Sequence, residues 1–188
     1  MRRTVVGAAI VLASLLVSGT SCGPGGGPGA GAPGPASPLG GLPRPGVAEF
    51  VIGPDFQAVA GQTVYVPVYS HVFTSNDARP FGLAVTLSVR NTDRVQPIIL
   101  VSVKYHDRDG RLVRDALKKP LRIAPLASMD FFVEESDSTG GYSASYVLEW
   151  VAERPVSAPV AEAVMIGTAS TQGISFVCPG RVVAERNP

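Results

Sequence analysis

From Val47 to Val183 apolar side chains recur at every second position, the period of strands that turn one face to a core, and helical spacing is nearly absent. Val64, Val66 and Val68 alternate with Thr63, Tyr65, Pro67 and Tyr69, and Leu83, Val85, Leu87 and Val89 alternate with Ala84, Thr86, Ser88 and Arg90. Ile99, Val101, Val103 and Tyr105 make a third face. Asp109-Gly110 then supplies the left-handed turn that folds Arg111 to Arg114 back as a hairpin. Runs at Met129 to Glu134, Ser145 to Val151, Ala163 to Gly167, Gly173 to Val177 and Arg181 to Ala184 bring the strands to eight or more. Short strands separated by Gly, Pro, Asp and Asn predict an all-β fold, a single antiparallel β-sandwich of immunoglobulin-like type. Tyr146, Leu148 and Trp150 share a face and are assigned to the core, with Glu149 on the opposite face. Pro67 lacks a ladder donor, which puts its strand at an edge or beside a bulge, where another chain could pair or be blocked from pairing.

The N-terminal region has a different pattern. Arg2 and Arg3 precede the apolar run Val5 to Val17, too short to span a bilayer as a stable helix, so residues 1–21 are expected to be a signal peptide. Small residues from Ser18 to Ser21 lead to Cys22, whose thiol suits diacylglycerol transfer, although Gly19 stands where such signals usually carry Leu. Ordinary cleavage and secretion is the alternative. Residues 22–46 hold ten Gly and seven Pro, a composition with too little apolar surface to offset the entropy of ordering it. They are expected to be a disordered tether spanning roughly 25–30 Å or more, with residues 47–188 as the β-sandwich domain. The expected address is the cell envelope, outer membrane or cell surface included, with membrane contact through the N-terminal lipid. Gly23 rather than Asp follows Cys22, so no familiar inner-membrane retention signal is present.

Charge narrows the function. The full chain carries +1, and loss of Arg2 and Arg3 with the signal takes this to −1. Without a basic field to neutralise phosphates, nucleic acid is excluded as a partner. Lys104 to Arg122 nevertheless holds seven basic and three acidic side chains, while Asp130, Glu134, Glu135 and Asp137 follow with no base between Ile123 and Glu153. Such segments pair across strands or present opposite patches.

Several stretches resemble a known family. Gly61 to His71 (GQTVYVPVYSH), Leu87 to Asp93 (LSVRNTD) and Glu162 to Gly167 (EAVMIG), together with Gly110 to Val113 and Gly173 to Phe176, look like the bacterial domain-of-unknown-function family numbered 3124. The resemblance covers nearly all of Gly61 to Val183. It implies an uncharacterised, envelope lipoprotein-like domain and supplies no catalytic residue.

The candidate chemistry is thin. Asp107-Arg108-Asp109-Gly110 opens like a calcium loop but lacks the later oxygen ligands and carries Arg108 and Arg111, so a plain turn is expected and no metal or other cofactor. Gly141 to Ser145 approaches a hydrolase elbow but ends in Ser, and both histidines precede it. After Cys178 no His or Met completes a copper set. A cysteine-dependent transpeptidase or hydrolase would use Cys178 as thiolate, His71 or His106 as base and Arg181 as oxyanion partner. Against it, Ile174, Phe176 and Cys178 share one face at strand spacing, which predicts a buried thiol. Binding candidates are His71, near the end of its strand, and the loop carboxylates Glu134, Glu135 and Asp137, since loops carry recognition residues. The sequence thus points to a lipid-anchored, non-catalytic binding or assembly module whose partner is an envelope protein or polysaccharide, with the cysteine enzyme as the alternative.

Overall fold

In a computed structural model, residues 44–74, 79–168 and 173–186 are described. The segments expected to be a signal peptide and, as far as residue 43, a tether, Cys22 included, lie outside them. No described residue is helical. The strands are β1 (Val47–Glu49), β2 (Ala60–Val68), β3 (His71–Phe73), β4 (Pro80–Gly82), β5 (Ala84–Arg90), β6 (Ile98–His106), β7 (Leu112–Asp115), β8 (Leu121–Ile123), β9 (Ser128–Val133), β10 (Ala144–Ala152), β11 (Val160–Gly167), β12 (Ile174–Pro179) and β13 (Arg181–Glu185). All pairings are antiparallel.

A seven-stranded sheet runs β1-β8-β6-β10-β2-β13, with β7 beside β8 on β6, and packs on a four-stranded sheet ordered β12-β11-β5-β9. The core between them takes Val64, Val66 and Val68 from β2, Tyr146, Leu148 and Trp150 from β10, Val85, Leu87 and Val89 from β5, and Met129, Phe131 and Val133 from β9. Each set is one face of an alternating strand, so the period-two pattern is the pattern of burial. The result is an all-β antiparallel sandwich with sheets larger than those of an immunoglobulin constant domain. At Pro179-Gly180 the chain passes from the edge of one sheet to the edge of the other. A Cβ on Gly180 would lie 2.7 Å from Val64 Cγ1 and 2.8 Å from the Ala161 carbonyl, so the crossing leaves no room for a side chain.

Two departures from the simple alternation have a local cause. In β6 the partners of Glu149 and Trp150 are Ser102 and Leu100, which makes Val101 the extra residue of a β-bulge. A bulge shifts the phase by one. Ile98, Leu100, Val103 and Tyr105 therefore enter the core, instead of the continuous face Ile99, Val101, Val103 and Tyr105 that strict alternation predicts. On β12, Phe176 and Cys178 do point inward but stay half-buried, because an edge strand is covered from one side only. Pro67 pairs with Ser145 of β10 and lies beyond Tyr65, where the pairing with β13 begins, so its missing donor faces a locally free edge.

The first described residues are already engaged. Arg44 forms an ion pair with Asp130 at 2.8 Å, the Val47 amide donates to the Arg44 carbonyl at 3.1 Å, and the Ala124 amide donates to the Gly46 carbonyl at 2.8 Å. The chain thus joins the domain at the end of β5 and β6 that carries Arg90 and Ile98.

Candidate functional site

At the opposite end, β3 and β4 form a separate two-stranded hairpin, His71 opposite Gly82, that caps the sandwich. It is fastened by Ser70, whose carbonyl accepts from the Leu83 amide at 2.9 Å and whose amide donates to the Gly141 carbonyl at 3.3 Å. The Ser70 hydroxyl, 1 % exposed, donates to the same Gly141 carbonyl at 2.9 Å and sits 3.3 Å from His71 Nδ1.

The acidic loop beside this hairpin is built from below. Arg114 on β7 reaches Asp137 at 2.6 Å, with the two side chains only 9 % and 8 % exposed. Desolvation pushes the Asp137 pKa up, but hydrogen bonds from Thr139 and Arg114 outweigh it and hold the carboxyl below its ordinary value. Asp137 is therefore an internal tie of the loop and no surface ligand. Tight turns close the loop, with the Asp137 amide donating to the Glu134 carbonyl and the Gly141 amide to the Ser138 carbonyl, both at 3.0 Å. Beneath it Tyr105 and Tyr146, both fully buried, pack with tilted rings 4.9 Å apart between centroids. Gly140 packs directly on the Tyr105 hydroxyl, where a Cβ would collide with it and lie 2.7 Å from the Ala144 Cβ.

The pinned loop delivers Tyr142 to the hairpin. Its ring is 6.1 Å from His71 and 5.5 Å from Phe73, His71 and Phe73 are 5.6 Å apart, and Arg108 lies over the Tyr142 ring at 4.8 Å. Phe73 and Tyr142 remain 44 % and 37 % exposed. Glu134 and Glu135 are exposed on the loop without a basic partner among the described residues, and Glu135 lies against Gly82, opposite His71. Two of the loop candidates, Glu134 and Glu135, thus share one end of the molecule with His71, while Phe73, Tyr142 and Arg108 are members that residue chemistry alone did not single out. An aromatic residue in a Gly-Gly-Tyr-Ser turn, with no core to enter, was the available signal.

The other candidates stay apart. Cys178 on β12 pairs with Ala163 on β11, and no hydrogen bond or ion pair joins it to His71, His106 or Arg181 among the described residues. Burial pushes its thiol pKa up, the opposite of what a nucleophile needs. His106 sits opposite Ser145 with Nδ1 buried and unpartnered, and Arg181 is exposed. Asp107 Oδ1 accepts from the Asp109 and Arg111 amides at 2.9 and 2.8 Å, so its carboxylate closes the β6–β7 turn, in which Gly110 takes the expected left-handed φ of 78°.

The buried tyrosines give this end a pH signature. Among the described residues neither hydroxyl has a hydrogen-bond partner, and burial, with a smaller contribution from Asp137, pushes the Tyr105 pKa from 10.0 up to about 12. Burial raises Tyr146 as well. The unfolded chain then loses the tyrosine proton first, so the stability tied to Tyr105 is fully present below pH 10 and disappears as the pH rises through about 12, a change of roughly 3 kcal/mol. Urea melts of the wild type and of Tyr105→Phe between pH 8 and pH 12 should diverge in slope, with the variant less sensitive. At neutral pH the variant should be as stable as the wild type or more so, because it removes an unpaired buried hydroxyl. Equal pH dependence in the two proteins would refute the assignment.

Fold and site together define a β-sandwich domain with an exposed aromatic and cationic cluster at one end. Residues 61–183 match the family described as protein of unknown function (DUF3124), and the chain belongs to that family. No curated protein matches the sequence. Among solved structures, the crystal structure of Thermotoga maritima 1070 is similar over 64 % of this chain and 92 % of that chain, at 11 % identity and a TM-score of 0.36.

Proposed function

We propose that this chain is a lipid-anchored protein of the cell envelope whose β domain is a non-catalytic binding or assembly module. One observation carries the reading: the aromatic cluster stands at the far end of the strands from the point where the N-terminal chain enters. β6 alone spans nine residues between these ends, roughly 30 Å. A domain held by acyl chains on Cys22 and a long Gly/Pro tether leaves that end, opposite the point of attachment, free to face away from the membrane. Its loop is fastened by buried contacts, so little order has to be gained on binding.

Metabolic labelling with a fatty-acid analogue, followed by a photo-crosslinking side chain at position 142 in cells, tests both halves. Label on the wild type that is absent from Cys22→Ala, and crosslinks from position 142 but not from Val177 on the four-stranded sheet, are expected. An unlabelled wild-type chain would sink the anchor. Equal crosslinking at both positions would sink the binding face.

A further inference from the structure

Resting on that reading of the domain as a binding module, we propose that the His71, Phe73 and Tyr142 cluster takes a neutral, polyhydroxylated ligand, a glycan chain, with the sugar's apolar ring face on the aromatic rings and its hydroxyls donating to His71 and Glu135.

The acceptor role of His71 follows from proton counting. The Ser70 hydroxyl has one hydrogen, and a carbonyl can only accept, so that hydrogen belongs to the bond with Gly141. Toward His71 Nδ1 the hydroxyl oxygen is therefore the acceptor, and Nδ1 carries the proton. In the neutral ring Nε2 keeps its lone pair. It has no hydrogen-bond partner among the described residues and is not buried, so the lone pair is offered at the surface beside the rings of Phe73 and Tyr142.

The rest of the patch has the same character. Glu135, against Gly82 across the hairpin from His71, adds carboxylate oxygens that only accept. Glu134 beside it repels anionic ligands. Arg108 already lies over the Tyr142 ring at 4.8 Å and 3.9 Å from Asp109, so part of its charge is engaged within the domain. Apolar ring faces bordered by the His71 and Glu135 acceptors match a molecule rich in hydroxyl donors with one apolar face, to whose hydroxyl oxygens Arg108 can also donate.

Native affinity electrophoresis of the purified full chain in detergent, through gels containing a soluble β-1,4-glucan, an α-1,4-glucan or a polymer of β-1,4-linked N-acetylglucosamine, decides the matter. Retardation is expected in at least one gel. Phe73→Ala and Tyr142→Ala should each weaken the apparent affinity about tenfold or more, Tyr142→Phe should keep it, and His71→Phe, which retains a ring but no acceptor, should lose severalfold. These side chains lie at the surface, so melting temperatures of the variants should stay within a few degrees of the wild type. A two-bond proton–nitrogen NMR spectrum should show neutral His71 protonated on Nδ1, and a proton on Nε2 would remove its role. Retardation untouched by the ring variants, or absent from all three gels, overturns the glycan proposal. If no gel retards the chain while position 142 crosslinks to a protein in cells, the binding module stands and the glycan falls, whereas failure of both experiments removes both.

Discussion

Replacement of Asp137 by Ala should lower the stability of the domain by about 3–5 kcal/mol, the cost of leaving a buried charge without its partner. Arg114 is 9 % exposed and donates to Asp137 at 2.6 Å. Its guanidinium lies 5.9 Å from the centroid of the buried Tyr105 ring, so the stranded cation gains no solvent. The loop also loses the Thr139 amide and hydroxyl bonds to Asp137 Oδ1, at 3.0 and 2.5 Å. The penalty should be specific to half a pair. Arg114→Met with Asp137→Leu should be less destabilised than either single change, since two apolar residues leave no buried charge behind. Urea unfolding of the four proteins at pH 7 measures this, and a double variant as weak as the sum of the singles would show that the pair acts by shape and not by charge. The acid side has its own sign. Because the folded pKa of Asp137 is lowered, its contribution is complete above the ordinary carboxylate range and is lost only as the pH falls through the lower folded value. Near-ultraviolet circular dichroism of Tyr142 and its neighbours should fade with the same variants, since the loop they remove is the one that carries that ring.

Asn91→Ala should cost about 3 kcal/mol, and Asn91→Asp more. Asn91 is 2 % exposed and ties three chain segments at the end where the N-terminal chain enters. Its Nδ2 donates to the carbonyls of Gln96, Ile123 and Ala124 at 2.9, 3.2 and 3.1 Å, so two hydrogens serve three acceptors. Its Oδ1 accepts from the Asp93 amide at 3.0 Å. Asp93 continues the tie, with Oδ1 accepting from the Val95 and Gln96 amides and Oδ2 from the Ser157 amide, and these bonds hold its carboxyl below the ordinary value. Alanine leaves the three carbonyls without that donor. Aspartate turns an oxygen toward them in place of a donor, which adds repulsion to the loss. Thermal melts should therefore rank wild type above Ala and Ala above Asp, and Asp equal to wild type would mean that the amide donors are dispensable. The segment Leu87 to Asp93, one of those that carry the family resemblance, thus has a structural task at this end of the molecule.

The family itself was legible in the chain, because its segments Gly61 to His71, Leu87 to Asp93 and Glu162 to Gly167 lie in or against regular strands whose side chains are fixed by the core. The same regularity made the longer strands legible. A strand of six to nine residues with one buried face repeats the apolar pattern often enough to be read, as β5, β9 and β10 do. Three-residue strands do not repeat it, and β1, β3, β4 and β8 exist because a neighbouring strand offers them hydrogen bonds. His71, Glu134 and Glu135 could be singled out as polar residues at loop mouths, but their company could not, since no local pattern encodes a hairpin folding over a loop sixty residues away. What the sequence determined by itself is therefore the all-β class, the faces of the long strands and the kind of residue available for recognition, all set by local periodicity and composition. Tertiary structure decided the rest: the bulge at Val101 that changes the phase of β6, the burial of Asp137 against Arg114, and the meeting of His71, Phe73 and Tyr142. Each of these depends on which strands lie side by side, a choice made by long-range pairing and packing.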